Sequence, residues 1–204
     1  MEEVLFFGGS FNPPHIGHRH VIKTISQYYP NALLYICPNF VSPFKEGGKE
    51  FSASEIWLLC LSEFESFLST NVILWDEEIK KTNISYTIDS LMALRSLHPN
   101  SELSLVLGED NLIYFDRWKS YQQILDIVKE IIVVRRETAD PKEIPIPNFV
   151  PKAKVRVLSN PILPVSSTEI REFNFQNIAT DFLMPKTKEL IRQFLLSKRD
   201  LSSP

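Results

Sequence analysis

The chain has little cysteine, no strong charge of either sign and no long apolar run. Only Cys37 and Cys60 occur in 204 residues. Both sit in apolar surroundings without the close spacing of a metal-ligand pair, which leaves two buried thiols in a reducing compartment as the expectation. The formal net charge is −3, too small for the basic field that draws a protein onto nucleic acid. Any phosphate binding must therefore be local and built by specific groups. No apolar stretch approaches the ~18 residues of a membrane span. The opening Met1-Glu2-Glu3 is acidic and does not read as a signal peptide, so a cytoplasmic location is expected. Internal repeats and low-complexity tracts are also missing.

What is present is an ordinary globular composition, 44% hydrophobic and 23% charged, in a length that suits one domain. Short apolar runs at Val4–Phe7, Leu33–Cys37, Val72–Trp75, Leu103–Leu107, Ile131–Arg135 and Val155–Leu158 read as strands. Most are continuous rather than alternating, as in strands covered on both faces. Between them, Ile16–Tyr28, Ser52–Phe67 and Tyr86–Leu97 carry apolar residues near helical spacing. The alternation predicts an α/β fold, Rossmann-like and doubly wound, with a mostly parallel sheet and helices on both faces. The reading is a single domain over residues 1–204, with a small helical portion from about residue 167. Pro38–Glu50 reads as a mobile loop. Asp140–Pro151 has too many prolines for a regular element, and Asn160–Ser167 reads as a loop ending in a helix start.

The most informative stretch is residues 4–18. A buried strand runs into Gly8-Gly9, then Ser10-Phe11-Asn12-Pro13-Pro14, and a helix begins near Ile16. Ligands of open α/β sheets bind at the carboxyl ends of strands, where this turn lies. Glycines let the backbone approach a phosphate, and a helix start adds unpaired N–H donors. His15 and His18 are three residues apart, so both rings can face one side of the first turn. The segment is neither a P-loop nor a dinucleotide fingerprint, since it lacks the Gly-Lys-Ser/Thr ending and the three-glycine spacing.

Gly9-Ser10-Phe11 through His15-Ile16-Gly17-His18 resembles the (H/T)xGH signature of the nucleotidyltransferase superfamily. Three further motifs follow in order: Ser85-Tyr86-Thr87-Ile88-Asp89-Ser90-Leu91, Leu107-Gly108-Glu109-Asp110-Asn111 with Trp118, and Val165-Ser166-Ser167-Thr168-Glu169-Ile170-Arg171. Together, over roughly residues 4–172, they resemble the bacterial nicotinate-nucleotide adenylyltransferases. The resemblance implies ATP and nicotinate mononucleotide as partners, with Mg²⁺ accompanying ATP and no metal site of the protein's own. Neither nucleic acid nor membrane is implied, and a homodimer is compatible with it. His15, His18 and Arg171 would be catalytic. Gly8, Gly9, Ser10, Phe11, Ser166, Ser167 and Arg136 would join them around ATP.

Read physically, Thr87 caps the helix that follows it, and the resemblance adds that Tyr86 and Thr87 contact the pyridine carboxylate. Asp110, after Gly108, either caps the next helix or accepts hydrogen bonds from ribose hydroxyls. Trp118 lies about two helical turns further on if that stretch is helical; an isolated tryptophan is usually core, and the resemblance implies instead that it stacks on the pyridine ring. Ser166-Ser167-Thr168-Glu169 reads as a capped helix start. Arg171 lies near that first turn, where a phosphate would offset its unfavourable position in the helix dipole. Lys45 is either a solvated lysine or, as the resemblance implies, reaches substrate phosphate. Departures from the family pattern are Asn12 in place of Asp, Glu137 in place of the proline after Arg136, and an apolar residue near Trp57 in place of an arginine. A glycine is also missing from Arg171–Ala179. Another adenylyltransferase of the superfamily, with nicotinamide mononucleotide or phosphopantetheine as acceptor, and a non-catalytic nucleotide sensor stand as alternatives.

Overall fold

In a computed structural model, described for residues 2–40, 49–81, 83–135, 140, 144–172 and 181–202, all six expected strands form. They are β1 (Glu3–Gly9), β2 (Leu33–Pro38), β3 (Val72–Leu74), β4 (Glu102–Gly108), β5 (Glu130–Val134) and β6 (Val155–Val157). The sheet order is β3-β2-β1-β4-β5-β6, and every neighbouring pair is parallel. The sheet is thus wholly parallel, where the sequence called for mostly parallel.

Parallel strands need crossovers, and these lay helices on both faces. The strand residues divide accordingly. Leu5, Phe7, Leu34, Ile36, Val106, Ile132 and Val134 point into a core closed by α1 (Ile16–Tyr28), α2 (Ala53–Phe64), α6 (Ser167–Glu172) and α7 (Pro185–Ser202). Their neighbours Val4, Phe6, Tyr35, Cys37, Leu105 and Val133 point the other way, against α3 (Thr87–Leu97), α4 (Glu109–Ile113) and α5 (Tyr121–Ile127). Central strands buried on two faces have no polar side to alternate with, which is why they read as continuous apolar runs. Cys37 and Cys60 are buried and unpaired. Burial pushes both thiols up from their usual pKa.

Some local readings need correction. Helix α1 has the expected bounds, but α2 stops at Phe64 rather than Phe67. Its start is held by a reciprocal cap between Ser52 and Glu55. The N-cap of α3 is Tyr86, with no side-chain cap bond, so Thr87 is the first helical residue and not the cap. Trp118 is not carried on two turns of helix: α4 ends at Ile113, and a 3₁₀ turn at Phe115–Arg117 delivers it. Helices α4 and α5 went unread because five and seven residues are too few to display a period. Of the two expected loops, Pro38–Glu50 and Asp140–Pro151, residues 41–48 and 141–143 lie outside the described residues. Among the described residues no helix is long and apolar enough to cross a membrane.

The sheet order reverses between β1 and β4, whose carboxyl ends are Gly8-Gly9 and Gly108. A crevice must open there, because the crossovers from these two strands leave to opposite faces.

Candidate active site at the β1–β4 switch point

A cleft of about 360 Å³ occupies this switch point. Its floor is the end of β1 and the loop to α1. A Cβ on Gly8 would come within 2.9 Å of the Phe6 ring, and one on Gly9 within 2.8 Å of the Phe11 ring. Phe11 itself has φ 43, in the left-handed region that non-glycine residues seldom enter. The backbone adopts it to turn the ring inward, where it is 1% exposed and meets the Phe64 and Phe7 rings edge-on. Phe11, expected beside ATP, is therefore mainly the underside of the site. Its ring also stands edge-on to His18, 4.8 Å between centroids.

The start of α1 overturns one expectation. Its amides are not left open for an anion. Ile16 donates to the Phe182 carbonyl at 2.8 Å, while His18 and Arg19 donate to the His15 carbonyl. Gly17 donates to His15 Nδ1 at 3.1 Å, and His15 donates its own N–H to His18 Nδ1 at 3.2 Å. This is a capping box made of two histidines. It has a chemical consequence. A ring nitrogen that accepts a backbone N–H holds a lone pair, so the proton of each neutral imidazole is on Nε2. Both rings line the cleft, with centroids 3.9 Å apart. The cap thus fixes the tautomer that leaves Nε2–H as the donor.

Gly17 explains the spacing. A Cβ there would stand 2.9 Å from His15 Cε1 and 3.0 Å from its Nδ1. Only glycine lets the His15 ring fold back over the first turn.

The second wall is the loop into α6. Ser166 caps it, its hydroxyl accepting the Glu169 N–H at 3.1 Å while the Glu169 carboxylate takes the Ser166 N–H at 2.8 Å. Ser167 donates its hydroxyl to the Pro13 carbonyl at 2.9 Å. Arg171 falls in the last described turn of the short helix, so the conflict expected with the helix dipole does not arise. Its guanidinium donates to the Asn12 carbonyl at 2.5 Å and to Thr168 Oγ1 at 3.0 Å. Ser166, Ser167 and Thr168 line the cleft, and Arg171 is not among its lining residues. The arginine binds the α6 wall to the first loop. Asn12 is nearly buried, and its side-chain oxygen accepts the Phe51 N–H at 3.3 Å, a bond that an amide makes without a charge.

The third wall gathers Ser85, Tyr86 and Thr87 with Gly108, Asp110 and Trp118, residues far apart in sequence that reach one edge because β4 adjoins β1. Asp110 lies in the first turn of α4 and is not its cap, which is Gly108. Lys45 and Arg136 lie outside the described residues, as does most of Arg171–Ala179.

Several residues that line or brace the cleft were not read from sequence. Lys49, four positions after Lys45, donates from Nζ to the carbonyls of Ser10 and Asn39, anchoring the first loop. Glu78 was hidden in the charged run Asp76-Glu77-Glu78, which resembles a solvated face. It is 4% exposed, accepts the Ser90 hydroxyl at 2.6 Å, and burial raises its pKa. Arg135 is held at the cleft by a reciprocal pair with buried Asn160. Lys119 follows Trp118 and lines the same wall. Arg19, next to His18, pairs at 2.9 Å with buried Glu63, which also accepts the Met184 N–H at 2.9 Å. The first turn of α1 is thereby bolted to α2 and to the segment leading into α7. Among the described residues no group of three or more His, Cys, Asp or Glu stands together as a metal site.

A doubly wound parallel sheet with a histidine pair at its switch point, faced by a hydroxyl-rich helix start, defines a nucleotide-binding protein of the nucleotidyl-transfer type. The cytidylyltransferase-like family model matches residues 6–173. A probable nicotinate-nucleotide adenylyltransferase of Leptospira borgpetersenii is 37% identical over 194 residues, 94% of this chain and 95% of the relative. One of Fusobacterium nucleatum is 32% identical over 171 residues, 83% and 86% of the two chains. Among solved structures, the fold is shared with Plasmodium falciparum nicotinic acid mononucleotide adenylyltransferase complexed with NaAD. The TM-score is 0.76 at 19% identity, over 96% of this chain and 97% of that one. A putative nicotinate-nucleotide adenylyltransferase from Vibrio parahaemolyticus gives a TM-score of 0.66 at 18% identity, over 95% and 93%. The chain belongs to the cytidylyltransferase-like family and, within it, groups with the nicotinate-nucleotide adenylyltransferases.

Proposed function

We propose that this chain transfers the adenylyl group of ATP to nicotinate mononucleotide, forming nicotinate adenine dinucleotide and releasing pyrophosphate, a step of NAD biosynthesis. The observation that carries the reading is the tautomer-locked pair His15 and His18 at the switch point. A phosphate oxygen of the mononucleotide attacks the α-phosphorus of ATP. The bond to the bridging oxygen breaks, and the electron pair leaves with pyrophosphate. The nucleophile is already anionic, so no strong base is needed. Catalysis then rests on aligning two polyanions and offsetting their repulsion.

In this reading His18 donates from Nε2 to the α-phosphoryl oxygen as negative charge builds there, and His15 donates to an adjacent phosphate oxygen. Gly8, Gly9 and Ser10 let the nucleotide lie close to the backbone over Phe11. Ser166, Ser167 and Arg171 hold the β- and γ-phosphates, with Arg136 as a further ATP contact. Tyr86 and Thr87 receive the pyridine carboxylate, Gly108 and Asp110 the ribose, Trp118 the pyridine face and Lys45 the acceptor's phosphate. Mg²⁺ would accompany ATP and would supply charge neutralisation there.

The test is pyrophosphate release from ATP with nicotinate mononucleotide, nicotinamide mononucleotide or neither. Release that depends on the nicotinate form supports the proposal. Release only with the amide would reassign the acceptor, and none with either would leave a nucleotide sensor.

A further inference from the structure

The cleft wall assigned to the pyridine ring carries a cation that the proposed contacts do not use. Lys119 follows Trp118 directly and lines the cleft. Its Nζ stands 4.2 Å from the centroid of the Tyr86 ring, within cation–π range. Tyr86 is the N-cap of α3, and its side chain makes no cap bond. The ammonium therefore sits over the start of an eleven-residue helix, where the helix dipole already favours negative charge. One anion opposes it: Asp89, in the first turn of α3, has Oδ2 3.9 Å from Lys119 Nζ. The two carboxyls that line the cleft itself are Glu78, engaged by the Ser90 hydroxyl, and Asp110, in the first turn of α4.

We propose that Lys119 is a specificity-determining residue, its ammonium favouring an acceptor ring that bears a carboxylate over one that bears an uncharged carboxamide. The inference rests on the pyridine-mononucleotide reading above and deepens it. The contacts assigned above put the ring against Trp118 and its substituent at Tyr86 and Thr87, the start of α3. There a carboxylate gains the attraction of Lys119 and of the helix, and a carboxamide gains only hydrogen bonds. Asp89 acts in the opposite sense, because it both neutralises Lys119 and repels a carboxylate. Half-exposed charges are screened, so the effect is a modulation and not an absolute gate.

The measurement is kcat/KM for nicotinate and nicotinamide mononucleotide in wild type, Lys119→Met, Lys119→Arg and Asp89→Asn. Lys119→Met lowers the acid-to-amide ratio by roughly three- to five-fold, the range of a screened charge pair. The loss falls on KM for the acid and leaves the amide unchanged. Lys119→Arg keeps the ratio near wild type, and Asp89→Asn raises it. A purely structural role for Lys119 lowers both substrates together and leaves the ratio in place, which overturns the proposal. An active wild type with an unmoved ratio removes only Lys119. A wild type inactive with both mononucleotides removes the proposed function and this inference with it.

Discussion

His18 Nδ1 accepts the backbone N–H of His15 at 3.2 Å. The one residue thereby sets the other's position as well as its own tautomer. The two imidazoles are held as Nε2–H donors before any nucleotide arrives, and a donor that needs no reorientation during reaction contributes most to catalysis.

On the proposed mechanism, removing the His18 ring deletes a donor aimed at developing charge. His18→Ala lowers kcat on the order of 10²–10³-fold, the usual effect of losing one such donor, while KM for ATP moves by only a few-fold. Steady-state kinetics at saturating acceptor checks this. A kcat near wild type would strip His18 of its role.

Gly17→Ala separates geometry from stability. In a helix the change from glycine to alanine ordinarily stabilises by about 1 kcal/mol. Here the new Cβ meets the His15 ring at 2.9 Å and Val165 at 3.2 Å, and the ring, 2% exposed and capping the helix through Nδ1, moves aside only by giving up that cap, at a cost of about 1 kcal/mol. The expected result is a loss of about 10²-fold in kcat, the scale of an ångström-sized misplacement, with a melting temperature close to wild type because the lost cap and the helix gain offset each other. Equal activity would show that the position of the His15 ring is immaterial.

These two residues also show what sequence reading can and cannot reach. Strand runs were legible because burial on both faces removes polar residues from them, and α1 because thirteen residues display a full amphipathic period. The motif residues at strand ends were legible for a related reason: in a parallel sheet every carboxyl end lies on one edge. Hydrogen-bond allocation was not legible. Nothing in the order His-Ile-Gly-His says that the helix amides are consumed by Phe182 and by the imidazoles themselves, because Phe182 is remote in sequence. Glu78 and Lys49 were missed for the same reason, since the burial of a charge depends on what packs over it.

Trp118→Ala tests the acceptor wall. Loss of an aromatic face costs about 0.5–1.5 kcal/mol beyond its buried area. KM for the mononucleotide should therefore rise several-fold or more while KM for ATP stays put. An unchanged acceptor KM would take Trp118 out of the site.

Glu78 makes stability depend on pH. Burial raises its pKa, with the Ser90 hydroxyl, Lys81 and Lys49 opposing. An acid whose folded-state pKa is raised contributes stability that is fully present below the ordinary carboxylate value. That contribution is lost as pH rises through the raised value. Glu78→Gln has no such titration. The melting temperature of the variant minus that of wild type should therefore climb as pH increases from the ordinary carboxylate value upward, whatever constant offset the substitution brings. A difference that falls over that window would contradict the burial argument.

The central claim is adenylyl transfer to nicotinate mononucleotide, and the most direct measurement follows the α-phosphorus. ATP labelled at that position is incubated with the chain, Mg²⁺ and the mononucleotide, and the label is traced by chromatography. The account predicts label in nicotinate adenine dinucleotide, appearing one for one with pyrophosphate. Label that remains in ATP, or leaves as free AMP, would contradict it.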